Sequence, residues 1–310
     1  MKNALMIPIH TKKLNWLNLC LNSLSNCNMG GGIDFDIVLL VSNLDEEIII
    51  SRAIEFIFKT SGISKISHQY NIMHNIKFLN IQQYIKINMC NDNLLKRYNE
   101  NQERCIVNLK KFLGLYWAKD YYDFILCVDC DIIFLNNIEF IFKKALKNYN
   151  KNIYFASLRP NPSVFSDILQ NCASFIDNFS LLKFQKNDVI KNNTKDFTLY
   201  PWFFDIPAYK SSDLVDFFKY VGNFYEKITW HSFEHIIFIF WRIVKEDSKL
   251  IDYTTELGIT NGSEGLTAND ILNINLKYDY TPLWIRYGRL LTTDCHLCYD
   301  IPMAFHVDRI

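Results

Sequence analysis

The chain has 310 residues, 49% of them hydrophobic and 15% aromatic, enough for one large α/β domain or two small ones and too apolar for a disordered chain. Lys plus Arg and Asp plus Glu both total 33, so the formal net charge is zero. That excludes the basic excess of a nucleic-acid footprint and suits a protein lying against a partner or a membrane surface.

A first strand is predicted over 4–9, ending at Pro8-Ile9-His10, and Leu14, Leu17, Leu21 and Leu24 then recur at helical spacing. Gly30-Gly31-Gly32 breaks the chain before a second strand over 35–41. Asp45 opens a helix through Phe58, with Glu46 and Glu47 in the first turn, where the helix dipole favours anions. A short third strand follows over 76–79. A long amphipathic helix, Glu103 to Ala118, feeds into the apolar run Phe124 to Leu135. Asn136 or Asn137 caps a helix over 138–147, and 153–158 is another strand. This alternation predicts an α/β fold, a mostly parallel sheet flanked by helices, with ligands at the carboxyl ends of its strands.

The second half is less regular. Pro160-Asn161-Pro162 breaks the chain, 165–182 reads as helix, and 185–195 reads as a polar loop. Leu199 to Pro207 is rich in aromatics, Ser211 or Ser212 caps a helix over 213–220, and Ser232 caps a strongly apolar helix over 233–244. Asn261 to Gly265 reads as a flexible loop. No repeat or linker divides the chain, so one domain over 1–310 is expected, with halves at 1–160 and 161–310. Pro8 interrupts the short apolar stretch at the start and no small-residue cleavage site follows it, so nine cysteines are read as free thiols in a reducing cytoplasm. No apolar run approaches the ~18 residues a membrane span needs.

The anomaly in this pattern is Phe124-Ile-Leu-Cys-Val-Asp129-Cys-Asp131-Ile-Ile-Phe-Leu135. A buried unpaired carboxylate costs several kcal/mol and ordinarily neutralises or finds a cation. Two carboxylates at i and i+2 of a strand point to one face, and each raises the other's proton affinity unless a positive charge stands between them. A hard, oxygen-seeking divalent ion, Mg2+ or Mn2+, explains the pair economically, with Asp129 and Asp131 as its ligands.

Lys111 to Asp131, a helix with a basic residue leading into an apolar strand that ends in Asp-x-Asp, resembles the GT-A fold, DxD-containing, nucleotide-sugar-dependent glycosyltransferases. Ile7-Pro8-Ile9-His10 resembles that family's first nucleotide-binding strand and turn. The resemblance implies a nucleotide-sugar donor, usually a UDP-sugar, held by its diphosphate through Mn2+ or Mg2+. Asp131 is then a direct ligand, and Asp129 contacts the metal or the donor ribose. Lys111, with Arg104 second, adds positive charge, and solvation on a helix face is the bland reading of either. His306, in Phe305-His306-Val307-Asp308, is the candidate for the late histidine ligand of many members, although the Gly and Lys that follow it in glycogenin-like members are missing here. For the base of an inverting reaction the resemblance points to Glu234, in Ser232-Phe233-Glu234-His235, with a helix-stabilising first-turn acid as its bland reading. Asp205, among Trp202, Phe203 and Phe204, is the runner-up, in a segment that builds an acceptor pocket or simply core. The implied setting is cytoplasmic, peripheral to the bacterial inner membrane, with a glycan or lipid-linked acceptor of surface polysaccharide synthesis.

Three rival classes share part of this pattern. A haloacid-dehalogenase-like phosphatase also uses Asp-x-Asp with Mg2+, but the chain contains no Gly-Asp pair. A sugar nucleotidyltransferase wants a Gly-rich loop after the first strand, where this chain has His10-Thr11-Lys12-Lys13. A structural zinc site from Cys127-x-x-Cys130 and Cys295-x-x-Cys298 is disfavoured because the first pair lies within the predicted strand, where residues three apart point to opposite faces and cannot grip one ion.

Overall fold

The computed structural model describes residues 1–27, 35–60, 72–100, 105–160, 163–177, 179, 185–190, 193–201, 205–258, 268–286 and 304–306. Its centre is a five-stranded sheet in the order β3-β2-β1-β4-β9. The strands are β1 (Asn3–Pro8), β2 (Phe35–Val41), β3 (Ile76–Asn80), β4 (Phe124–Cys127) and β9 (Ala208–Lys210). The first four run parallel and β9 is antiparallel to β4. Both faces of the sheet are covered, so its strands are continuous apolar runs. Leu5 and Met6 in β1, Ile37 to Val41 in β2 and Phe124 to Leu126 in β4 are all fully buried.

Chain order and spatial order part company once. From β1 the sheet grows outward through β2 and β3, and the chain then returns to the other side of β1 to lay down β4. The reversal puts a crevice between the carboxyl ends of β1 and β4, the place where open α/β sheets hold ligands. Met6 marks the register, opposite Val38 on one side and Cys127 on the other.

Two smaller sheets flank the first. One has the order β10-β6-β8-β7, from β10 (Lys249–Asp252), β6 (Ile153–Pro160), β8 (Asn193–Tyr200) and β7 (Gln185–Ile190). The other joins β11 (Trp284–Arg286), β12 (Ala304–His306) and β5 (Ile132–Phe134).

Several expectations are corrected. The predicted strand over 124–135 is two strands, because the chain bends at 129–131. The polar stretch 185–195 is largely strand: β7 and β8 pair antiparallel. A ribbon is held by main-chain bonds, and Thr194, Phe197, Thr198 and Tyr200 favour extended backbone. The helix expected through 182 ends at Ala173; Phe175 and Ile176 reach the core through turns instead. Ser232 does not cap the next helix. Its hydroxyl donates to Asn171 Oδ1 at 2.7 Å and accepts from the Thr229 amide at 2.9 Å, leaving Phe233 at the cap of the Glu234–Lys245 helix. Lys210, which makes no side-chain capping bond, rather than Ser211 or Ser212 stands at the N-cap of the Ser211–Val221 helix. Asn137 caps the Ile138–Asn150 helix as expected, accepting from the Glu139 amide. Among the described residues no helix is long and apolar enough to cross a membrane.

The Cys105–Ala118 helix lies against β1 and β2, and Gly114 lets it approach. A Cβ there would stand 2.7 Å from Leu40 Cδ1 and 3.1 Å from Met6 Cε. Gly114→Val is therefore expected to lose about 1–3 kcal/mol to overpacking despite the better helix propensity, read as a lower urea midpoint with an unchanged slope.

Candidate functional site

The crevice is built from three chain segments. After β1, Ile9 is buried and His10 turns outward, its Nδ1 accepting from the Lys12 amide at 3.1 Å. That cap starts the short turn Thr11–Lys13, which brings Lys13 Nζ to 3.7 Å from Asp131 Oδ2. After β4, the bend carries Asp129 and Asp131 at the carboxyl end of the sheet. The period-two argument for their shared face does not apply on a bend: Asp131 meets Lys13 of the β1 turn, whereas Asp129 meets Lys111. Asp131 is 9% exposed, and the Asp129 side chain is 30% exposed.

The third segment is the Cys105–Ala118 helix, which carries Lys111. The bland reading placed this lysine in solvent. It is buried, with Nζ 2.9 Å from Asp129 Oδ1 and 3.8 Å from Glu234 Oε1. Burial alone would depress the ammonium, but Asp129 and Glu234 outweigh it and hold it well above the usual lysine range. Glu234 opens the Glu234–Lys245 helix and is only 1% exposed. Burial pushes its carboxyl up, yet Lys111 and then His235 bring it below the usual carboxylate range. Asp129, Lys111 and Glu234, each singled out in the sequence, thus meet in one cluster, with Glu234 behind the lysine.

A second buried pair lies one residue back and was not read from the sequence. Lys110 Nζ donates to Glu46 Oε2 at 2.9 Å and to the Ile9 carbonyl at 2.7 Å, and both side chains are almost fully buried. Glu46 also accepts from the amides of Ser42 and Thr11. Burial pushes the Glu46 carboxyl up, but Lys110 and the Ser42 amide more than compensate, and it sits below its usual range. The pair ties the ends of β1 and β2 together beneath a polar cavity of about 240 Å³, lined by His10, Ser42, Gln82, Tyr98 and Asn99. The signal was available: Lys110 and Lys111 are adjacent on a helix whose neighbours Leu109, Phe112, Leu113 and Leu115 are all apolar, so no single solvated face can take both.

Other candidates lie elsewhere. Asp205 accepts from Tyr280 at 2.7 Å, from the Ile206 and Leu283 amides at 2.8 and 2.9 Å, and from Asn148 at 3.2 Å. It anchors the 205–208 turn to the segment before β11. Burial raises its carboxyl to about 6 in spite of those donors. Residue 306 enters by topology: β12 pairs antiparallel with β5, setting His306 opposite Ile132, next in sequence to Asp131. Arg104, Trp202, Phe203, Phe204, Cys295 and Cys298 lie outside the described residues, as do Gly30 to Gly32 and the 261–265 loop. Cys127 is in β4 while Cys130 is on the bend, so the strand argument against zinc does not hold for that pair. Among the described residues no group of three or more His, Cys, Asp or Glu side chains could hold a metal ion.

No protein-family model and no curated protein matches this sequence. Solved structures do. Mouse xyloside xylosyltransferase 1, in its apo form, is 10% identical, with 99% of this chain and 97% of that one covered at a TM-score of 0.43. Staphylococcus aureus TarS is 12% identical over 70% of this chain at a TM-score of 0.31, and this chain spans 29% of its length. A 4-diphosphocytidyl-2C-methyl-D-erythritol synthase from Anaerococcus prevotii is 16% identical, with 90% and 96% covered and a TM-score of 0.39.

Two outcomes are expected. Lys110→Met leaves Glu46 buried without its cation and should cost about 3–5 kcal/mol, while the double variant Lys110→Met/Glu46→Gln recovers much of the loss; chemical denaturation at neutral pH reads both. For Asp205, the folded protein binds the proton more tightly than the unfolded chain, so this group's contribution is most favourable below its usual range and is lost as pH rises through about 6. Between pH 4 and 7 the wild type should lose about 2 kcal/mol relative to Asp205→Asn, measured as the difference between two urea-denaturation series.

Proposed function

We propose that this protein is a glycosyltransferase that takes a sugar from a nucleotide-sugar, a UDP-sugar in the first instance. The observation that carries this reading is the gathering of Asp129, Asp131, Lys13 and Lys111 at the mouth of the crevice between β1 and β4. In this reading the nucleoside occupies the polar cavity at the ends of β1 and β2, beside Pro8, Ile9 and His10. Its diphosphate lies toward the two acids. When the glycosidic bond breaks, the leaving diphosphate gains negative charge, and groups already in place around it lower the barrier.

The acids fit a divalent ion of the Mg2+ or Mn2+ kind, which takes one or two protein carboxylates and completes its shell with phosphate oxygens and water. Asp131 and the second oxygen of Asp129 would hold it, with His306 as a further ligand. The ion would supply Lewis-acid stabilisation of the departing diphosphate. Lys111 orients Asp129 through their 2.9 Å contact. We assign Glu234 to holding Lys111 rather than to proton abstraction, because it is buried behind that ammonium. Asp205 is assigned to the turn it anchors, since its carboxylate already accepts from four donors. The acceptor class we favour is a glycan or lipid-linked oligosaccharide of a bacterial surface polysaccharide, handled at the cytoplasmic face of the inner membrane. Support for that last step is the family resemblance and the neutral, aromatic-rich composition.

One observation favours a second reading, in which lysine replaces metal. Lys111 stands 2.9 Å from Asp129, and Lys13 stands 3.7 Å from Asp131. Calorimetric titration with UDP, with Mn2+ or with a chelator, separates the two. Under the first reading the chelator weakens UDP binding by about tenfold or more, and Asp131→Asn removes the metal dependence. Under the second the chelator changes nothing and Lys13→Met or Lys111→Met abolishes binding. Absence of UDP binding under both conditions, or release of pyrophosphate on turnover, would sink the glycosyl-transfer proposal.

A further inference from the structure

Between the edge strand β9 and β6 of the second sheet is a cavity that shares no lining residue with the crevice. The Ile138–Asn150 and Glu234–Lys245 helices close it. Its walls are mostly apolar, from Phe155, Phe238, Ile239 and the rings of Tyr149 and Tyr209. Both charged side chains that line it already have partners, and His235 adds a further polar ring to the wall. Asp205 is held by its four donors, Arg242 donates to Glu246 at 2.6 Å and to the Tyr154 hydroxyl at 2.9 Å, and its guanidinium lies 4.2 Å over the Tyr149 ring. The Tyr149 and Tyr280 hydroxyls are likewise given to Asp213 and Asp205.

Tyr209 differs. It is 1% exposed, lines the cavity, and its hydroxyl has no hydrogen-bond partner among the described residues. Burial of an unpaired hydroxyl is unfavourable, so something normally satisfies it. The cavity volume is about 70 Å³, room for several waters at roughly 10–15 Å³ each. A buried water wants two to four polar partners, however, and apolar cavities stay dry. With Asp205 and Arg242 already engaged, this mostly apolar cavity is suited to an apolar body whose polar atom meets Tyr209.

We propose that the cavity binds a small, uncharged ring compound bearing a single hydroxyl, with that hydroxyl accepting from or donating to Tyr209. The site is separate from the donor crevice, and the proposal is independent of the reaction assigned there. It lies directly behind the helix start that carries Glu234 and His235, since His235 is on its wall and Glu234 belongs to the Lys111 cluster.

Phenol is the probe, with benzene as its control, and the measurements are calorimetric binding and the structure of crystals soaked with phenol. Phenol is expected to bind in the cavity with its oxygen on Tyr209 and to raise the melting temperature. Tyr209→Phe should weaken phenol about five- to tenfold, the worth of one hydrogen bond, and leave benzene binding unchanged. Without any ligand, Tyr209→Phe should melt no lower than the wild type, because it removes a hydroxyl that has no partner. Ile239→Phe narrows the cavity and should abolish binding of both probes while UDP binding is retained. Phenol seen only elsewhere, ordered water alone in the soaked cavity, equal phenol affinity in Tyr209→Phe, or a lower melting temperature for that variant would each overturn the proposal.

Discussion

The arrangement at the crevice depends on one buried cation. Lys111 brings its ammonium into the interior between Asp129 and Glu234, at 2.9 and 3.8 Å. Taking Lys111 and Glu234 out of water, with Asp129 partly so, is costly, and their mutual attraction repays it only while all are present. The cluster therefore behaves as a unit. It joins the helix before β4, the bend after β4 and the first turn of the Glu234–Lys245 helix, three segments far apart in the chain. The position of Asp129 follows from that junction more than from strand geometry.

The sheet determines where the junction stands. Parallel strands present their carboxyl ends together, and the reversal of direction at β1 leaves no strand connection to cover the space above β1 and β4. The β1 turn then supplies Lys13 from one bank and the β4 bend supplies Asp131 from the other. Polar groups at this end are held by main-chain contacts as well: Glu46 takes amides from Ser42 and Thr11, and Lys110 takes the Ile9 carbonyl. Such contacts fix these groups in place without a ligand, which lowers the cost of ordering on binding.

Much of this was legible in the sequence, and the exceptions have physical causes. Four apolar runs separated by helical periods announced the parallel sheet, because buried strands and amphipathic helices leave distinct periods. Asp129 and Asp131 stood out as charges in an apolar run. Lys111 and Glu234 were named, but not their contact, since pairing across 123 positions leaves no periodic trace. The hairpin of β7 and β8 was hidden because the polar stretch 185–195 shows no sustained alternation of apolar and polar residues. Asp205 drew attention as an acid among aromatics, and the same burial that made it conspicuous raises its carboxyl to about 6 in a structural role. Lys110 was passed over because its value lies in a contact with Glu46 from another helix.

Lys110 and Lys111 are consecutive, so their side chains leave the helix about 100° apart. One reaches the floor beneath the ends of β1 and β2, and the other reaches the bend beyond β4. A single turn of backbone therefore serves as a shared axle for two neighbouring chambers. Any twist of that axle swings both ammonium groups together. A substitution that re-aims this turn of helix therefore alters both chambers at once.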